Sequence, residues 1–179
     1  LALEKVNLHK RIALNIVKLT GTTPNKLVLG FMLATAFMSM WISNTASTVV
    51  MLPIAISVIQ LLINDEDGFT KADKNFSLSI MLGIAFAANA GGIATVIGTP
   101  PNSVLIGLLE NQYNIQISFI SWMSFGLPFS MIMIAAVYWV LVKWMFPCKD
   151  ILFRSSANII DDELQKLGKI TTEEKFLFK

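Results

Sequence analysis

Asn89-Ala90-Gly91-Gly92-Ile93-Ala94-Thr95-Val96-Ile97-Gly98-Thr99-Pro100-Pro101-Asn102 is the stretch on which the fold turns. It lies in a run with no charged side chain between Lys74 and Glu110. A run of that length suits a bilayer core, which asks for roughly 20 predominantly apolar residues per spanning helix. Yet Gly91-Gly92 withdraws side-chain support from a helix, and Pro100-Pro101 withdraws two amide donors. Continuous helix through 89–102 is therefore not expected. Two half-helices, about 77–89 and 103–110, would flank an unwound crossing. Unwound backbone survives at membrane depth only where protein, ion or water satisfies it.

Upstream, a second uncharged run extends from Lys26 to Asp65 with the polar island Ser43-Asn44-Thr45 at its middle. Segment 27–63 is long for one span and short for two. Leu27–Trp41 and Ser47–Leu62 each offer roughly 23 Å of helix at 1.5 Å per residue. A re-entrant hairpin with its tip at Ile42–Ala46 fits that arithmetic, and one long tilted helix kinked at Pro53 is the alternative. The acidic link Asn64-Asp65-Glu66-Asp67-Gly68 opens a polar loop over 64–75, and a broken transmembrane helix is expected over 76–110. A moderately polar connector follows at 111–124, then an ordinary spanning helix at 125–147 with Pro128 near its start. Trp122, Tyr138, Trp139 and Trp144 read as boundary aromatics, and Lys143, Lys149 and Arg154 mark that end as cytoplasmic. Residues 1–26 read as an interfacial helix or the end of a truncated span, and 148–179 as a cytoplasmic linker.

Of the 179 residues, 54% are hydrophobic and only 15% charged, against roughly 25% charged in an ordinary soluble domain. A formal charge of +2 leaves no footprint for nucleic acid, which needs a clustered basic face. The lone Cys148 excludes an internal disulfide, and the lone His9, beside Lys10 and Arg11, has no partners for a transition-metal site. Gly98-Thr99-Pro100-Pro101 lacks the lysine of a phosphate loop. No carboxylate stands between Asp73 and Glu110 to act as acid, base or proton relay. These several enzymatic readings therefore fail. A chain that starts at Leu1 without Met and ends in a charged run reads as part of a longer polypeptide.

The polar islands suit a different chemistry. Ser43, Thr45, Ser47 and Thr48 offer hydroxyls and Asn44 an amide carbonyl, the neutral oxygens with which broken transporter helices hold a small cation. Amide hydrogens opening the following half-helix attract an anion instead. One broken hairpin can thus hold a cation beside a carboxylate. Asn44 carries the most weight, because its amide both accepts and donates. Its alternative role is interhelical glue. For Gly91 and Gly92, close helix packing competes with proximity to a ligand.

Phe37-Met-Ser-Met-Trp-Ile-Ser-Asn-Thr-Ala46, followed by Met51-Leu-Pro-Ile54, resembles the divalent anion:sodium symporter family, which includes citrate, succinate and sulfate transporters. The run from Ala87 to Asn102 resembles the second signature of its N-terminal half. Both occur in the family's order, and the resemblance covers about Leu8 to Phe146. It implies an all-α membrane protein with an inverted-repeat transporter fold, a re-entrant helical hairpin and a discontinuous transmembrane helix. This chain would cover mainly the N-terminal repeat. It further implies substrate contacts from Ser43, Asn44, Thr45, Thr99 and Pro100. Sodium contacts would come from Ser39, Ser43, Asn44, Thr48, Asn89, Gly92, Gly98 and Asn102. Na+ would be the coupling ion, with no organic cofactor. The partners implied are a C-terminal repeat, a dicarboxylate, the lipid bilayer and a second copy in a homodimer working by elevator motion in a bacterial inner membrane. A citrate or sulfate symporter, a sodium-independent dicarboxylate exchanger and a structural membrane subunit are the alternatives.

Overall fold

The computed structural model describes residues 23–62 and 70–147, and all regular structure among them is helical. The expectations for 1–22 and 148–179, and for the whole acidic link, lie outside the described residues. Helix α1 (Pro24–Ser39) opens on a proline at its first position, where a missing N–H costs nothing. It ends in the turn Met40–Ser43, and α2 (Asn44–Leu62) leads away from that turn. Two helices thus flank a short tip within the described part of that run, and α2 passes through Pro53 without a break.

Helix α3 (Lys71–Ile93) starts on a reciprocal cap. Thr70 Oγ1 accepts from the Asp73 amide at 3.2 Å, and Asp73 Oδ2 accepts from the Thr70 amide at 2.9 Å. After α3 comes the non-helical turn 94–99, then α4 (Pro100–Tyr113) and α5 (Phe119–Trp139). A π-helical segment, Val140–Met145, prolongs α5 and closes with Phe146 N donating to Leu141 O at 2.8 Å. The break is narrower than the sequence pattern implies. Gly91 and Gly92 stay inside α3, while Pro100 and Pro101 occupy the first turn of α4.

The core is the seam between α1 and α3. These helices run in the same direction, since Gly83 meets Met32 and Val28 while Gly91 meets Ala36. A Cβ on Gly91 would fall inside the Ala36 backbone, so only glycine permits this approach. Leu27, Val28, Phe31 and Met32 of α1, Met51, Ala55 and Val58 of α2, and Phe76, Ile80 and Ile84 of α3 fill the interior.

Among the described residues, two helical stretches are long and apolar enough to cross a membrane, Lys71–Ile93 with mean hydropathy 1.6 and Phe119–Met145 with 2.1. Helix α3 is mostly enclosed by its neighbours, whereas α5 leaves Ile120, Phe125, Met131 and Ile132 exposed. An apolar outer face on a span-length helix is what an integral membrane protein presents to lipid or to further helices.

Candidate functional site

The hairpin tip lies against the end of α3, and the contact is built from oxygens. Ser39 Oγ, on the last residue of α1, lies 2.7 Å from Asn44 Oδ1 and 2.7 Å from Ala88 O. One hydroxyl proton thus stands between two acceptors. The orientation of the Asn44 amide is fixed by its other neighbours. Asn44 Nδ2 donates to Asn89 Oδ1 at 3.0 Å, and Asn89 Nδ2 donates to Ala85 O at 3.2 Å. Flipping Asn44 alone would oppose two amide oxygens, and flipping both would forfeit the Ala85 bond. Asn44 Oδ1 therefore faces Ser39 and Gly92. A Cβ on Gly92 would overlap that oxygen, so this glycine admits the Asn44 side chain.

The unwound turn closes the other side. Gly98 packs where a Cβ would stand 2.5 Å from Gly92 O and 2.9 Å from Ser39 O. Asn102, 7% exposed, donates through Nδ2 to Gly92 O at 2.9 Å and Thr95 O at 2.7 Å. Both amide protons are thus spent on carbonyls freed by the break, and Oδ1 takes no hydrogen bond among the described residues. Ser103 Oγ donates to Val96 O at 3.0 Å, and Trp122 Nε1 donates to Ile93 O at 3.0 Å. These four bonds answer the carbonyls a helix end leaves open.

The first turn of α2 is arranged differently. Ser43 Oγ accepts from the Ala46 amide at 3.3 Å, and Ser43 O accepts from the Ser47 amide at 3.0 Å. The Asn44 and Thr45 amides have no acceptor among the described residues, and Ser43 and Thr45 are exposed. Thr48 Oγ1 turns back to Asn44 O at 2.9 Å. Ser47 Oγ is buried without a hydrogen-bond partner. At the start of α4, by contrast, Pro100 and Pro101 carry no amide proton, and the Asn102 amide already donates to Thr99 O at 3.1 Å. At the first two positions of the two helices, free donors for an anion therefore belong to α2.

Of the residues singled out from sequence, the structure brings Ser39, Asn44, Asn89, Gly92, Gly98 and Asn102 together around the α1–α3 contact. Ser43 and Thr45 stand at its open side. Thr99, in extended conformation, and exposed Pro100 open α4, with no bond to the hairpin tip. Three participants escaped the sequence reading. Ala88 contributes only its carbonyl, Trp122 holds Ile93 O rather than serving simply as a boundary aromatic, and Thr95 Oγ1 donates to Met40 O at 2.6 Å. Among the described residues, no group of His, Cys, Asp and Glu is placed to hold a metal ion. The ion-binding chemistry available here is that of neutral oxygens.

A family model described as citrate transporter (CitMHS) matches residues 1–175 of the chain. The sodium-dependent dicarboxylate transporter SdcS of Staphylococcus saprophyticus is 35% identical over 178 residues, which is 98% of this chain and 34% of that protein. The protein of the same name from Staphylococcus aureus strain USA300 is likewise 35% identical over 178 residues, with the same coverage. The chain thus spans about a third of the length of the curated relatives it matches.

Proposed function

The chain belongs to the citrate transporter family, and from that premise we propose that it carries one half of the binding machinery of a sodium-coupled dicarboxylate symporter. That family is one of membrane transporters rather than enzymes. The observation that carries the reading is the oxygen cluster in which Ser39 Oγ, Asn44 Oδ1 and Ala88 O share a single proton. A small cation relieves that shortage by replacing the proton-poor contact with ion–oxygen contacts, as neutral oxygens of broken helices do in other transporters. Ser43 and Thr48, with Gly92, Gly98 and the Asn102 carbonyl, would complete the shell. The two staphylococcal relatives, sodium-dependent dicarboxylate transporters by name, support sodium as the ion and a dicarboxylate as the solute.

The carboxylate would bind beside the cation at the start of α2. There the uncommitted Asn44 and Thr45 amides and the positive end of the helix stand beside exposed Ser43 and Thr45. Thr99 and Pro100 would line the opposite wall, and the second carboxylate would reach the C-terminal repeat. Sodium bound first adds the positive charge that the anion needs, so each ligand raises the affinity for the other. The 27–63 hairpin would be re-entrant, 76–110 the broken span and 125–147 an ordinary span. The loaded domain would move as an elevator within a homodimer of the bacterial inner membrane, driven by the sodium gradient.

The decisive experiment is uptake of radiolabelled succinate, citrate and sulfate by the full-length protein in liposomes, with and without an inward sodium gradient. Succinate accumulation only with the gradient is expected. Gradient-independent exchange would overturn the coupling, and preference for citrate, the solute in the family's description, would redirect the substrate assignment.

A further inference from the structure

Thr95 is buried completely in the turn between α3 and α4, inside the apolar run Ile93-Ala94-Thr95-Val96-Ile97. It makes bonds in two directions. Its hydroxyl donates to Met40 O at 2.6 Å, across to the residue that caps the end of α1. Its carbonyl accepts from Asn102 Nδ2 at 2.7 Å, the amide that also holds Gly92 O. Met40 O lies where the hairpin backbone has left the helix, and Thr95 Oγ1 is its partner among the described residues. Gly92 and Gly98, on either side of Thr95 in the chain, pack against Asn44 Oδ1 and Ser39 O. Thr95 itself is bonded to none of the oxygens in the cluster of Ser39, Asn44 and Ala88.

We propose that Thr95 is a positioning residue that locks the hairpin tip to the unwound turn, so that oxygens from the two breaks form one sodium site. The inference rests on the sodium-coupled reading above. Without the Thr95 hydroxyl, Met40 O loses its donor and the tip is free to shift relative to Gly92 and Gly98. The oxygens then no longer stand at one spacing before the ion arrives. Ordering them becomes a cost of binding, and sodium affinity falls. Substrate chemistry at Ser43 and Thr45 is left in place.

The test is thermal unfolding of the purified full-length protein in mixtures of NaCl and choline chloride at constant ionic strength. Ligand that binds only the folded state raises Tm with its concentration c, the stabilisation growing as RT ln(1 + c/Kd), so fitting the rise gives the half-saturating sodium concentration, the sodium midpoint, without any transported solute. Thr95→Val removes the hydroxyl at nearly constant shape and is expected to raise the midpoint about tenfold, the scale of one lost hydrogen bond to a buried carbonyl. Thr95→Ser keeps the hydroxyl and should return the midpoint to within about twofold of wild type. Thr95→Cys, a weaker donor, should fall between them, and it decides the matter should the valine variant fail to fold. An unchanged midpoint in Val or Cys, with Tm lowered equally in sodium and choline, would reduce Thr95 to a packing residue. Absence of sodium stabilisation in the wild-type protein would instead remove the sodium reading itself.

Discussion

The hairpin tip and the unwound turn both interrupt helices, yet they treat their backbone oppositely. At the end of α3 and in the turn 94–99, side chains from elsewhere answer the freed carbonyls: Asn102 holds Gly92 O and Thr95 O, Trp122 holds Ile93 O, and Ser103 holds Val96 O. At the tip, Met38 O accepts from both Trp41 N and Ile42 N, each at 3.0 Å, and the next helix opens with two uncommitted amides at Asn44 and Thr45. One break is closed by protein, and the other is left with donors to spare. The closed break makes a wall, and the open one makes a mouth. That difference also separates the two prolines of α4 from the start of α2. Pro100-Pro101 delete the donors an anion would need, whereas Asn44-Thr45 retain them.

Substitutions at the mouth, or at the Thr95 link to it, should therefore act on ligands, and substitutions that remove the donors to the wall's own carbonyls should act on stability. The largest effect is expected from Asn44→Ala, which removes the acceptor beside Ser39 and the donor to Asn89 together. Two such bonds correspond to about a hundredfold in sodium-dependent uptake by the full-length protein, with membrane insertion unchanged. Wild-type sodium dependence in that variant would remove Asn44 from the site.

Next comes a neighbouring pair. Gly92→Ala pushes a methyl into Asn44 Oδ1 and should shift the sodium midpoint by about tenfold or more, on the overpacking scale of 1–3 kcal/mol. Gly91→Ala pushes one into the Ala36 backbone and should lower Tm, or abolish folded yield, equally with and without sodium. If the two glycines behave alike in a sodium-dependent melt, the division between site and seam is broken.

Asn102→Asp sharpens the contrast from the wall. It exchanges the doubly donating amide for an oxygen facing Gly92 O and Thr95 O. A loss of about 2 kcal/mol is expected, read as a lower Tm already present without sodium. The smallest effect belongs to Trp122→Phe, which removes only the indole N–H from Ile93 O. Calorimetry should show a loss near 1 kcal/mol with uptake retained. A larger effect on uptake than on stability would move Trp122 from wall to mouth.

Much of this organisation is legible in the residues. The long charge-free runs set apart span-length helices, Pro100-Pro101 forbid an uninterrupted one, and Ser43-Asn44-Thr45 marks the other break. The limits of the second break were less legible, because Gly91-Gly92 reads locally as a weak point. In the fold these glycines remain helical, held by the close approach of Ala36 and Asn44 that their missing side chains allow. Thr95 offered no signal either, since a β-branched residue among Ile93, Val96 and Ile97 looks like filler. Trp122 resembled an aromatic at a membrane boundary, and its bond to Ile93 O depends on how α5 meets the end of α3.

What the chain determined by itself is where helix is affordable and where it must stop. Both follow from local quantities: transfer of apolar side chains, glycine's freedom and proline's missing donor. Which carbonyl each polar group satisfies was decided only by tertiary structure. Ser39 with Ala88, Thr95 with Met40 and Asn44 with Asn89 are distant in sequence, and a hydrogen bond forms only once packing has brought its atoms within about 3 Å.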